Sequence, residues 1–184
     1  MRGWIIAVSL GLLTIVSACS GGGGGGVKTQ SPGTSAVAGD LCSLLPKSSV
    51  QETTGYQVTL AQVHSGPGAL HFCTIFLQAS GCDQCALSLE DLGAITASAN
   101  NDSSSYRATL IDANPDAQPS FKDDVVGAGS WLATAASGQA TGLKILYFTV
   151  SGVAYDLTSP RVAGGLLTAD QMVKLAQIIV ANSH

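Results

Sequence analysis

Leu143-Lys144-Ile145-Leu146-Tyr147-Phe148-Thr149-Val150-Ser151-Gly152-Val153-Ala154-Tyr155-Asp156-Leu157-Thr158 is the stretch on which the fold turns. Leu143 to Val150 is rich in aliphatic and aromatic residues and reads as a central strand. Ser151-Gly152 supplies a two-residue hairpin turn, and Val153 to Thr158 reads as the returning strand. Upstream, Ser130 to Ala135 reads as another strand and Ser137 to Gly142 as the loop between them. Downstream, Thr168 and Gln171 have capping-box spacing and open a helix with Met172, Leu175, Ala176 and Ile179 on one face.

Toward the N-terminus, Asp40 stands where it caps a short turn over Leu41 to Leu45, interrupted by Pro46. Ser49 and Glu52 again have capping-box spacing, and Gly55 occupies a C-cap position, so a helix is predicted over Ser48 to Thr54. Tyr56, Val58 and Leu60 alternate with polar or small residues, the period of a half-buried strand. The turn cluster Ser65-Gly66-Pro67-Gly68 leads to a buried return strand over Leu70 to Leu77. Ala86 to Glu90 alternates weakly, whereas Leu89, Leu92 and Ala99 hint at a helix. Asp102 is placed to cap a helix with Tyr106, Leu110 and Ala113 inward, ended by Asn114-Pro115-Asp116. The expectation is an α+β domain, an antiparallel sheet packed with N-terminal and C-terminal helices.

This domain occupies residues 39–184 of the 184. Before it, Arg2 precedes an uncharged stretch whose apolar part, Trp4 to Val16, matches the core of a secretory signal, commonly about 7–15 residues. A membrane-spanning helix needs roughly 20 apolar residues. Val16-Ser17-Ala18-Cys19 resembles a bacterial lipobox, in which small residues precede a cysteine that is acylated and becomes the mature N-terminus. Residues 1–18 thus read as a lipoprotein signal peptide. Residues 19–38, with Cys19 as the lipid attachment site and glycine at every position from 21 to 26, read as a disordered tether. This glycine run lacks the strand, helix and Lys-Ser/Thr of a phosphate-binding loop. Localisation outside the cytoplasm, on the bacterial cell membrane, follows from these features.

Cys42, Cys73, Cys82 and Cys85 remain, an even number in an oxidising compartment, so two disulfides are expected. Four cysteines allow three pairings, and spacing favours Cys42–Cys73 with Cys82–Cys85. A Cys-x-x-Cys also raises thiol–disulfide redox chemistry, which needs its first cysteine at a helix N-terminus. The acidic Asp83 inside the motif disfavours a thiolate, and no proline immediately precedes the Leu143 strand. Zinc would need a second pair of ligands. His64 and His71, symmetric about the Gly66-Pro67-Gly68 turn, are placed to face each other across the hairpin, but two imidazoles alone make a poor site. Gly127-Ala128-Gly129-Ser130-Trp131 departs from the Gly-x-Ser-x-Gly elbow of hydrolases, and Asp123-Asp124 reads as a solvated pair. No catalytic residue, cofactor or metal ligand is assigned.

Charged residues make up 11% of the chain, with eight Lys and Arg against twelve Asp and Glu. Globular proteins average about a quarter, so polar uncharged groups solvate this surface. Without a basic cluster there is no electrostatic footprint for nucleic acid.

Leu41-Cys42-Ser43-Leu44-Leu45-Pro46, Val50, Thr54-Gly55, Cys73, the Val125-to-Ser130 segment and the closing hairpin and helix together resemble small actinobacterial cell-envelope lipoproteins of unknown function. That family's Val-Pro-Gly-Leu-Gly-Asp segment departs here at three places: Val126, Ala128 and Ser130. The resemblance implies no catalytic residues to transfer. A non-enzymatic protein, held to the membrane by its N-terminal lipid and binding a small apolar ligand or an envelope protein, is the leading expectation. The alternative is a membrane-tethered redox protein using Cys82 and Cys85.

Overall fold

The hairpin that anchors the sequence reading is the centre of the sheet. In a computed structural model of the protein, Lys144–Val150 (β6) and Val153–Thr158 (β7) pair from Val150↔Val153 to Ile145↔Thr158. Ser151 and Gly152 both take positive φ, 51° and 80°, the turn geometry whose twist matches paired strands. The structure describes residues 40–65, 71–96, 100–136, 142–162 and 165–184. The leader, Cys19, the tether and the loop predicted over Ser137 to Gly142 lie, apart from Gly142, outside these residues.

Seven antiparallel strands form one sheet in the order β1-β2-β3-β7-β6-β5-β4. The first three, Gln57–Ser65, His71–Ala79 and Cys82–Ala94, make an N-terminal meander. Pro119–Asp123 (β4), Trp131–Ala135 (β5), β6 and β7 make a C-terminal one. The two meanders join where β3 pairs with β7, Ser88 opposite Thr158 and Glu90 opposite Asp156.

Cross-strand partners share a face of a sheet, and here the two faces have different cores. On one, Cys73, Ile75, Leu77, Leu87, Leu89, Leu146, Phe148 and Leu157 pack under Lys47–Thr54 (α1) and Ala169–Asn182 (α3). Met172, Leu175, Ala176 and Ile179 form the buried stripe of α3, whose capping box of Thr168 and Gln171 is complete. On the other face, Trp131, Ala133, Tyr147 and Ala154 meet Tyr106 and Leu110 of Ser103–Ala113 (α2). Covered on both sides, β7 buries five successive residues. By contrast β1, at an edge, stays largely exposed.

Three local expectations are corrected, and one strand was not foreseen. The N-terminal helix starts at Lys47 with Pro46 as its cap, and no side chain caps it. Pro46, extended at φ −56° and ψ 141°, is itself the N-cap, so Ser49 falls inside the first turn and the Ser49–Glu52 capping box does not form. Gly55 ends that helix at φ 75°. The helical hint at Leu89 and Leu92 is a strand, β3, in which these residues point to opposite faces: Leu89 joins the α3 core and Leu92 the α2 core. Ala113, expected inward on α2, is exposed. Finally, β4 has no counterpart in the sequence reading. It is a short edge strand that opens with Pro119 and carries Lys122 and Asp123, features that keep an edge from pairing further.

Candidate functional site

The face under α2 carries the unusual chemistry. Asp102 caps the helix, its carboxylate accepting from the Ser104 and Ser105 backbone N–H groups at 3.0 and 3.1 Å. Bonds from these two serines hold its pKa well below the usual carboxylate range. The residues around the cap also dock the helix. Ser103 accepts from Trp131 Nε1 at 3.1 Å, the Ser103 hydroxyl donates to the Gly129 carbonyl at 2.7 Å, and the Tyr147 hydroxyl donates to the Asn101 carbonyl at 2.8 Å. The Trp131 and Tyr147 rings stack with centroids 5.4 Å apart, and Phe121 meets Trp131 edge-on. Tyr106 reaches from α2 to lie against both Trp131 and Tyr147.

Tyr106 donates its hydroxyl to Asp156, an acid in the middle of an apolar strand. Burial pushes the Asp156 carboxyl up to about 6, the Glu90 charge across the β3–β7 ladder adding to this and hydrogen bonds from Tyr106 and Thr158 opposing it. The Tyr106 hydroxyl is driven well above its ordinary range, first by burial and then by Asp156. Burial also raises Glu90. On the outer side of α2, Arg107 lies over Phe121, 3.9 Å from the ring centroid, and pairs with Asp123 at 3.0 Å.

Beside the aromatic cluster, where α2 ends, a cleft of about 150 Å³ opens between helix and sheet. Leu110 lines it from α2, Ala133 and Ala135 from β5, and Leu143 and Ile145 from β6 and its approach. Ala117 and Pro119 complete an apolar wall, and among the described residues Asn114 and Arg161 are its only polar lining. The space exists because three of the wall positions are alanine, while their neighbours Trp131 and Leu110 hold helix and sheet apart.

The sequence-predicted site residues lie elsewhere. Cys42 is bonded to Cys73, fastening the 3-10 turn Leu41–Leu44 to β2, and Cys82 is bonded to Cys85 at the start of β3. All four cysteines belong to the core beneath α1 and α3, across the sheet from the cleft. Cys82 and Cys85 run into a strand and not a helix, so no helix dipole acts on either sulfur. His64 pairs with Phe72 and stacks on it at 4.7 Å, whereas His71 pairs with Ser65. The two histidines therefore project from opposite faces of the hairpin, because adjacent strand residues alternate. Among the described residues no three His, Cys, Asp or Glu side chains gather as metal ligands.

Ser130 is buried and its hydroxyl is engaged by its own loop, accepting from Val126 and Gly127 N–H and donating to the Gly127 carbonyl. Asp123 and Asp124 are both exposed, in keeping with a solvated pair; Asp123 binds Arg107, and Asp124 accepts from the Gly129 N–H. Sequence reasoning assigned no residue to the cleft and missed Asp156. A lone acid between Tyr155 and Leu157 was the available signal for the second; the first had none, since its walls come from five separate segments. Comparison of the chain with family models, curated proteins and solved structures finds no match.

Proposed function

We propose that this protein is a lipid-anchored, non-enzymatic binding protein of the bacterial cell envelope, and that it holds a small apolar ligand in the cleft between α2 and β5–β6. The apolar cleft carries the reading. Its seven apolar lining residues leave room for a compact molecule, and ligand sites are commonly such concavities with few polar groups. The lipobox-like Val16-Ser17-Ala18-Cys19 and the glycine tether support placement at a membrane surface, as does the resemblance to actinobacterial envelope lipoproteins.

Native mass spectrometry of the full chain, expressed in an actinobacterial host and released from membranes in detergent, tests both parts. Acylation is expected on the mature chain beginning at Cys19 and absent from Cys19→Ser. A small dissociable adduct is expected on the wild type and not on Leu110→Trp, in which the cleft is filled from the helix. An unmodified Cys19 overturns the anchor. An adduct that persists in Leu110→Trp, or no adduct at all, overturns the ligand reading and leaves a protein partner as its replacement.

A further inference from the structure

The cleft is apolar but not featureless, and its one charge selects among ligands. Resting on the binding reading above, we propose that its ligand is a compact monoanion: a carboxylate on an aromatic or branched body of about six carbons, seated with its body in the cleft and its carboxylate on Arg161.

Two observations carry this. Among the described residues Arg161 is the only charged one lining the cleft; it is exposed and makes no ion pair with any of them. The chain's Arg107, by comparison, is occupied twice over, by Asp123 and by the Phe121 ring. A guanidinium presents a planar fork of N–H donors that matches a carboxylate in two parallel bonds. Asn114 is the second polar lining residue, and its Nδ2 donates to the Leu110 carbonyl at 3.0 Å, so its side chain is held in place at the cleft wall. The volume sets the body. A cavity of this size, about 150 Å³, takes a benzene-sized molecule in engineered proteins and is too small for a whole fatty acyl chain. One cation and one small apolar space therefore describe one head and one short body.

Fluorine NMR of 4-fluorobenzoate and of its neutral counterpart 4-fluorobenzyl alcohol, titrated with the full chain in detergent, tests the assignment. Benzoate is expected to bind at least about tenfold more tightly than the alcohol, with an affinity that falls as salt is raised. Arg161→Gln should bring benzoate down to the alcohol's affinity and leave the alcohol unchanged. Ala133→Leu, which fills the cleft from the sheet, should abolish both signals beyond micelle partitioning; Leu110→Trp does the same from the half-exposed helix side should Ala133→Leu not fold. Equal binding of the two probes to the wild type, or benzoate binding indifferent to Arg161→Gln, overturns the carboxylate assignment while the cleft reading stands. Binding of neither probe, or binding that survives the filled cleft, overturns both.

Discussion

The two meanders of the sheet are stabilised by different chemistry. The N-terminal one, β1 to β3, carries both disulfides, and its edge strand is mostly exposed. On the α2 side its surface carries half-buried rings such as Phe72 and Phe76 and the exposed Leu60, with Leu92 alone reaching the core under α2 among the described residues. The C-terminal one, β4 to β7, has no cysteine but is buried on both faces at its centre, with Trp131, Tyr147 and Tyr155 each no more than 1% exposed. Where a strand pair can be covered by helices on both sides, aromatic burial suffices. Where one side is left open, a covalent tie between the 3-10 turn and β2 takes over. The polar chemistry and the cleft sit on the half that has packing to spare.

Truncating the aromatic cluster is the harshest test of this contrast. Trp131→Ala should cost about 3–5 kcal/mol in urea unfolding, since it removes the ring beneath Tyr106 and the donor to the Ser103 carbonyl together. Replacing Cys42 and Cys73 by alanine should cost about 3–4 kcal/mol on chain entropy, and replacing Cys82 and Cys85 roughly half of that, because the second loop spans a sequence separation of 3 against 31. If loss of Cys82–Cys85 proves the larger, disulfides do not brace the N-terminal meander in the way the contrast requires.

A pH titration probes the junction of the halves. Asp156 holds its proton to about pH 6 in the native state but only to about 4 when unfolded. Between those values the folded protein binds more protons, so this group makes stability fall as pH rises. Asp156→Asn should remove a decline on the order of 2–3 kcal/mol between pH 4 and 7, read as the difference between wild-type and variant melting curves. Parallel curves would show that the acid is solvated by motion of α2. The smallest effect is expected at the cap of α3, where Thr168→Ala should cost about 1 kcal/mol in either meander's unfolding transition if the two unfold together.

Much of this was legible from short spans of chain. The Ser151-Gly152 turn, the Thr168–Gln171 capping box and the Asp102 cap each depend on residues within about one turn of one another, so their patterns survive without any knowledge of partners. β4 was illegible because an edge strand needs only one neighbour and tolerates proline and charge. The helix start at Lys47 was misplaced because two serines and a glutamate mimic a cap that Pro46 pre-empts. His64 and His71 looked paired on symmetry about a turn, but the strand register, which only β2 could set, places them on opposite faces.

Taken alone, the amino-acid order determines the hairpin, the helix caps, the even set of four domain cysteines and the α+β class, all through local backbone preference and apolar period. The tertiary structure decided the rest. Pairing of β3 with β7 brings Glu90 opposite Asp156 from 66 positions away, and burial there, not sequence context, raises the acid's pKa. The cleft likewise gathers Leu110, Ala133, Ile145 and Arg161 from separate elements. Empty space and desolvation are properties of how segments meet, and no single segment carries them.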